Sequence, residues 1–394
     1  MQKRSLEDDM TKMFAVISER SERVTRAEAF IDKDDPVVNL ANNLHPSILH
    51  LQIAAVRDET NFARTYRLTN ATANVPLPPF RAGQYLAVRD IVEQGIVSRP
   101  YTISSAPHLS DSYYEITITC KEDGFFSKHV WENWKEGTAI TAEGPFGNFY
   151  YEPLRDKDKL IALAGGSGIT PFRSMIHDVI AADKDPQITL IYGSSNEDEI
   201  IFGDELDQLA QANPKKIEIM HIVSNPAPGY KGLTGLISME IISSIIDDPA
   251  DYSYFICGPE LMYRHCRSEL ASLQLPQRLI RQELSGNFKE IIRFSDYPSV
   301  KSGQEVSINY TFRISSGKLK ANAAETILTA FERAGLEPQA HCRSGECGFC
   351  RTLLLSGEVY VPEETDRRRA ADLEYGYIHP CSTYPLSDLE VEII

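Results

Sequence analysis

The ten residues HCRSGECGFC at 341–350 constrain this chain more than any other stretch, because they place three thiols on one short turn that also carries two glycines. Four residues separate Cys342 from Cys347, two separate Cys347 from Cys350, and Cys381 follows in HPCSTYP after thirty more. Four thiolates so spaced can converge on two irons, and glycine at 345 and 348 lets the backbone approach inorganic sulfide. The spacing therefore reads as a [2Fe-2S] ligand set of Cys342, Cys347, Cys350 and Cys381. Tetrahedral zinc is the competing reading, although structural zinc usually takes two short-spaced pairs. A disulfide pair fits the spacing less well. A Rieske centre would recruit His341 and His379, but the thiols already complete the set.

The run ETILTAFERAGLEPQAHCRSGECGFCRTLLLSGEVY predicts a helix with Ile327, Leu328, Phe331 and Ala334 on one face, then the ligand loop, then a strand pair through Gly357. In these motifs the segment from about 305 to 394 resembles a plant-type ferredoxin. The resemblance implies an α+β (β-grasp) domain over 304–394 and carries the four cysteines over as ligands.

At 394 residues the chain has room for two or three domains, each with its own core. A formal charge of −16 argues against nucleic acid or an anionic membrane as the main partner. No apolar run approaches the roughly 18 residues that would span a bilayer. The opening MQKRSLEDDMTKMFAV has three acids before a short apolar patch and does not read as a signal peptide. Besides the four ligands, Cys120, Cys257 and Cys266 are scattered singles, as expected in a reducing compartment. The cytoplasm is the expected location.

Residues 1–48 read as a polar extension with a helix from Leu6 to about Glu28. From Leu51, alternating runs such as LQIAAVRDET, ARTYRLTN and YYEITITC predict an antiparallel β-barrel of five or six strands over 49–152. At Lys159 the period changes. KLIALAG, QITLIYG, KIEIMHIVS and YSYFICG are buried-type strands alternating with helical stretches, which predicts an α/β domain with a parallel sheet over 153–290. A linker is expected over 291–303, within a polar stretch that starts near Ser285.

In SRPYTISS, Arg99 and Tyr101 alternate onto one strand face, able to hold a phosphate beside an aromatic ring system. Gly124 and Ser127 in GFFS precede the helical run KHVWENW, where backbone N–H groups and a hydroxyl can meet an anion. AGGSGITP at 164–171 gives glycines for close approach at a strand-to-helix turn, but it is neither a G-x-G-x-x-G fingerprint nor a Walker loop. CGPELM at 257–262 follows the fourth buried strand.

Taken together, RAGQY, RPYT, GFFS and GPFG, followed by GGSGITP and CGPELM, resemble the ferredoxin-NADP⁺ reductase superfamily. That resemblance implies that Arg99 binds flavin phosphate, Tyr101 packs on the isoalloxazine, Thr102 lies near N5, and Gly124 and Ser127 serve the pyrophosphate of FAD, with FMN as the alternative. It places Gly165, Gly166, Gly168, Thr170, Cys257, Gly258, Pro259 and Met262 around the nicotinamide half of NAD(P)H. Thr102, Cys257 and Glu283 become the candidate catalytic residues, although the chain runs on past Glu283 where the family pattern ends.

The implied activity is a reductase passing electrons from NAD(P)H to FAD, to [2Fe-2S], and on to a partner oxygenase or reductase that docks at the ferredoxin domain. Reverse flow to NAD⁺ and a non-catalytic electron-transfer or redox-sensing subunit are the alternatives. After the second parallel strand, Ser194, Ser195 and Asn196 suit a ribose diol, and Glu197, Asp198 and Glu199 oppose a 2′-phosphate. NADH is the expected donor; NADPH is the alternative, should Lys231 supply a charge.

Overall fold

The computed structural model describes residues 6–26, 35–92, 95–122, 124–183, 185–283, 291–294, 296–298 and 303–394. The chain divides into two compact units, 1–44 and 45–394. The first contains helices α1 (Leu6–Arg26) and α2 (Pro36–Leu44), with Met10, Met13, Phe14 and Ile17 of α1 exposed. The expected helix matches α1 as far as Arg26, and residues 27–28 lie outside the described residues. No described helix is long and apolar enough to cross a membrane.

The second unit opens with six antiparallel strands: β1 (Leu49–Thr60), β2 (Ala63–Asn70), β3 (Tyr85–Val92), β4 (Gly95–Thr102), β5 (Tyr114–Thr119) and β6 (Ala139–Phe146). Their order is β4-β3-β6-β1-β2-β5, and an Ile103–Ile116 bridge joins the chain leaving β4 to β5, curling the sheet into the expected barrel. Alternation explains the core: Leu49, Leu51 and Ile53 point inward from β1. Helix α3 (Phe125–Asn133) plugs the barrel with Phe126 and Val130. It starts earlier than KHVWENW suggested, because the turn Gly124 N–H to Lys121 C=O leads straight into helical hydrogen bonding at Lys128.

The parallel sheet comprises β7 (Lys159–Gly165), β8 (Gln187–Ser194), β9 (Ile217–Val223), β10 (Leu233–Thr234), β11 (Ser253–Cys257) and β12 (Ile280–Glu283), ordered β10-β9-β8-β7-β11-β12. Sequence periodicity predicted only four of these; β10 is two residues long and β12 is polar at an edge. Strand residues alternate between two cores. Leu160, Ala162 and Leu190 pack with Phe172 and Ile176 of α4 (Thr170–Ala182) and Leu206 of α5 (Gly203–Ala212). Ile161, Leu163 and Ile191 pack with Ile242 of α6 (Met239–Ile245) and Tyr263 of α7 (Glu260–Leu270). The buried Arg173 of α4 reaches into the barrel, donating to Ser104 C=O at 2.9 Å and pairing with Glu115 at 3.0 Å. Its Nε is paired with Glu205 at 2.9 Å, so this cation is compensated on both sides of the junction.

The last domain has β13 (Glu305–Phe312), β14 (Ser315–Asn322), α8 (Ile327–Arg333), β15 (Thr352–Ser356), β16 (Val359–Tyr360), α9 (Ala370–Glu374), β17 (Tyr377–Ile378), β18 (Tyr384–Pro385) and β19 (Leu389–Ile393). Its main sheet runs β14-β13-β19-β15-β17, with α8 packed over it through Ile327, Ala330 and Phe331. Ala334 caps α8 rather than extending it. The strand pair expected through Gly357 does not form. Gly357, at φ +105°, turns the chain so that β15 joins β19 while β16 leaves to pair with β18.

The expected linker is also more than a tether. Ile291, Phe294 and Tyr297 are buried with Tyr384, and the Tyr297 hydroxyl donates to Ala323 C=O at 2.7 Å. The remainder of the linker, 295 and 299–302, and the adjoining 284–290 lie outside the described residues.

Candidate functional site

Parallel register builds the centre of the site. β11 lies between β7 and β12, with Cys257 opposite Ala164 on one side and Glu283 on the other. Strand β4 of the barrel ends at Thr102, whose hydroxyl donates to Glu283 Oε2 at 3.2 Å. The Cys257 thiol approaches the same oxygen at 3.8 Å. Thr102, Cys257 and Glu283, chosen from motifs far apart in sequence, therefore meet around one carboxyl oxygen. Glu283 lines a cleft together with Tyr85, Thr102, Gly147 and Cys342. Burial pushes its carboxyl up to about 8, against the Thr102 hydrogen bond that favours the ionised form.

The two glycine turns interlock beside this cleft. A methyl group at Gly168 would run into the Cys257 carbonyl oxygen, and one at Gly165 or Gly258 would collide with the Met262 sulfur. Pro259 caps the start of α7. Gly166, at φ +52°, instead faces open space, so the turn is closed towards the protein and open where a phosphate could lie. Thr170 is buried and donates to Ser167 C=O at 3.0 Å. Ser194 is buried at the end of β8, and Ser195 is exposed just beyond it. Of the three acids that follow, Glu197 accepts from Ala227 N–H at 3.0 Å, Glu199 accepts from the Asn196 amide at 2.8 Å, and Asp198 is exposed. Lys231 is exposed as well.

On the barrel side, Tyr101 stacks 6.2 Å from Phe126, and Ser127 lies in the first turn of α3, accepting from Lys121 N–H at 3.3 Å. Gly124 is needed there, since a methyl group would strike the Ser127 hydroxyl. Arg99 is held by Glu332 of α8, at 3.3 and 3.4 Å. Glu332 is itself gripped by Arg343 of the cysteine loop, at 2.6 and 3.0 Å. Burial, with Arg343 beside it, pushes the Arg99 guanidinium down to about 10.

The four thiols of the motif are gathered at the same junction. Cys350 and Cys381 sulfurs are 3.4 Å apart, and Cys342 Sγ accepts from Cys347 N–H at 3.3 Å and Ser344 N–H at 3.5 Å. Gly345 N–H points at Cys381 Sγ, 3.2 Å away. Hydrogen bonds from Cys347 and Cys381, with the backbone N–H groups, hold the Cys342 thiol well below the ordinary range. Gly345 (φ +81°) and Gly348 (φ +72°) adopt the left-handed conformation, and a methyl group at 345 would strike Ser382 and Thr365 C=O. No three acids, histidines or cysteines among the described residues are spread around a single ion; the sulfurs instead face one another. The loop seats on the barrel through His341, which pairs with Glu143 at 2.5 Å and stacks on Phe146 at 4.4 Å.

The sequence matches the oxidoreductase FAD-binding domain over 50–151, the oxidoreductase NAD-binding domain over 162–268 and the 2Fe-2S iron-sulfur cluster binding domain over 314–386. It is 31% identical over 353 residues to the ferredoxin reductase component of 3-ketosteroid-9-alpha-monooxygenase from Mycobacterium tuberculosis, covering 86% of this chain and 94% of that protein. The chain belongs to the ferredoxin-NADP⁺ reductase superfamily, in the group with a C-terminal [2Fe-2S] domain. A component of 1,2-phenylacetyl-CoA epoxidase from Escherichia coli is 30% identical over 357 residues, covering 87% of this reductase and 96% of that protein. Phthalate dioxygenase reductase has the same fold, with a TM-score of 0.62 at 22% identity over 88% of this chain and 97% of that one.

The reductase is thus an oxidoreductase with FAD, NAD and [2Fe-2S] domains in the order expected. Its residues suit these groups: four convergent sulfurs with N–H donors for the cluster, and a cleft ending at Thr102 and Glu283 for the ring system. Motif reading missed Glu332, Arg343, Glu143 and Phe146, which join modules. Only Arg343, inside the cysteine loop, carried a sequence signal.

Arg99 and Glu332 offer a test of this junction. Arg99→Ala is expected to weaken FAD retention by about tenfold or more, as loss of a charge-assisted phosphate contact would. The cluster spectrum should persist, because the barrel and ferredoxin cores are separate. Flavin-to-chain stoichiometry after gel filtration, with the visible spectrum, checks both outcomes.

Proposed function

We propose that this reductase takes electrons from NADH and delivers them singly to a partner oxygenase docking at its ferredoxin domain. The carrying observation is that one junction holds the Thr102–Cys257–Glu283 group, Arg99 and the four-thiol loop, so entry and exit of electrons share an interface. Bound FAD would accept the electron pair and release it in single steps to the [2Fe-2S] centre. Cys342, Cys347, Cys350 and Cys381 would hold that centre. Arg99, Tyr101, Gly124 and Ser127 would position the flavin, and the 165–170 and 257–262 turns would bring the nicotinamide against Thr102. Cys257 is a small neutral contact with no nucleophilic role. Relatives named as reductase components of a monooxygenase and an epoxidase support an oxygenase as acceptor, and three unligated cysteines support a cytoplasmic setting.

Steady-state oxidation of NADH by the purified protein with a one-electron acceptor tests this reading; no turnover without a further subunit would favour the non-catalytic alternative. The same assay compares donors. NADH is expected to exceed NADPH by about tenfold in kcat/KM, roughly 1.4 kcal/mol of transition-state binding. Asp198 stands exposed beside the Ser194–Ser195 turn, where a 2′-phosphate would be repelled. Equal use of NADPH would instead assign Lys231 a part in binding.

A further inference from the structure

The reductase carries a concentration of arginine that its overall charge does not predict. At the meeting point of barrel, parallel-sheet domain and cysteine loop lies a cavity of about 430 Å³ lined by Arg155, Arg278, Arg281 and Arg367, with Glu346 as the only lining carboxylate. The chain as a whole has a formal charge of −16. We propose that this cavity receives an acidic segment of the electron-accepting partner, so that the docking surface spans the nucleotide and ferredoxin domains. This deepens, and rests on, the reading that electrons leave through the cluster to a protein.

Two of the four cations are already committed. Arg155 pairs with Asp156 at 2.7 Å, and Arg281 donates to the Asn148 carbonyl. Arg278 and Arg367 are exposed, and no hydrogen bond or ion pair engages them among the described residues. They belong to different domains, one preceding β12 and the other following the cysteine loop. Burial and the neighbouring Arg155 push the Arg281 guanidinium down, the mark of cations crowded without enough counter-charge. Guanidinium groups so placed favour carboxylates, which they bind in a forked geometry.

The cavity also reaches the electron exit. Ser344 and Glu346 of the cysteine loop line it, and Ser344 N–H lies 3.5 Å from the Cys342 sulfur. The nicotinamide nucleotide is a poorer occupant. Its glycine turn follows β7 and its ribose turn follows β8, whereas the cavity borders β12, on the other side of β11. Complementary charge at such a rim would speed encounter and fix orientation.

The test uses the full-length holoenzyme, NADH, and two acceptors: uncharged 1,4-benzoquinone and the acidic one-electron protein rubredoxin. Arg278→Glu with Arg367→Glu is expected to lower kcat/KM for rubredoxin about tenfold, mainly through KM, and to flatten its salt dependence, leaving benzoquinone unchanged. Arg313→Glu with Lys318→Glu makes the same charge change on the exposed β13–β14 hairpin and is expected to cost less than about twofold. Equal losses in the two double variants, or a wild-type enzyme that reduces benzoquinone but not rubredoxin, would overturn the docking site. A wild-type enzyme that cannot pass electrons from NADH to benzoquinone would instead remove the functional reading beneath it.

Discussion

Cys347→Ser is expected to empty the iron-sulfur centre and to leave NADH-driven benzoquinone reduction in place. Wild-type protein should contain two irons and two labile sulfides per chain, the variant close to none, and reduction of a protein acceptor should fall by more than about 100-fold. The reasoning is local. Cys347 contributes its backbone N–H to Cys342 Sγ at 3.3 Å as well as its own thiol, and the serine variant keeps the first while removing the second. Loss of the visible spectrum can therefore be attributed to the missing ligand and not to collapse of the loop. Cys266 provides the contrast: it is buried, its thiol pushed up to about 12 by that burial, and Cys266→Ser should leave iron content unchanged. Zinc on metal analysis, or an unaltered spectrum in Cys347→Ser, would refute the ligand assignment.

Glu283 should govern the other half of the relay. Glu283→Ala is expected to slow flavin reduction by NADH about 100-fold in single-turnover measurements, because Thr102 and Cys257 lose the oxygen they share. Glu283→Gln should stay within a few-fold of wild type at pH 7, where the native carboxyl, at about 8, is mainly neutral. The wild-type rate should fall as pH rises through about 8, since a carboxylate there opposes the negative charge delivered to the flavin ring, and the glutamine variant should show a flat profile. Stability follows the same sign. The folded value exceeds the ordinary 4.5, so stability from this group is full below 4.5 and is lost as pH rises towards 8. Melting temperatures of glutamine variant and wild type should diverge over that interval, the variant becoming the more stable. A wild-type profile without inflection near 8 would show that the carboxyl is not enclosed during turnover.

Much of this organisation was legible from local pattern. The cysteine spacing, the change from alternating to continuous apolar strands at Lys159, and the paired glycine turns are short-range features, and the cores form as the patterns require. What escaped depended on distance or on exceptions to pattern. Residues Ile280–Glu283 are too polar to announce a strand, yet they pair with β11 as an edge strand and thereby deliver Glu283 to Cys257. The Arg99–Glu332 contact joins residues 233 positions apart, beyond any periodicity. Gly357 looked like a hairpin turn because apolar runs flank it, but the two runs serve different sheets.

The aromatic residues before β13 bear on how such modules could be exchanged between relatives. Phe294 and Tyr297 pack against Tyr384, three residues past Cys381, so a recombination point at 304 would leave that tyrosine facing solvent and the fourth sulfur ligand on a loosened strand. A transplant that starts at 291 would carry its own lid. Inheritance of the iron-sulfur module as a working part would then favour breakpoints upstream of the polar run, and the apparent tether would travel with the domain that follows it.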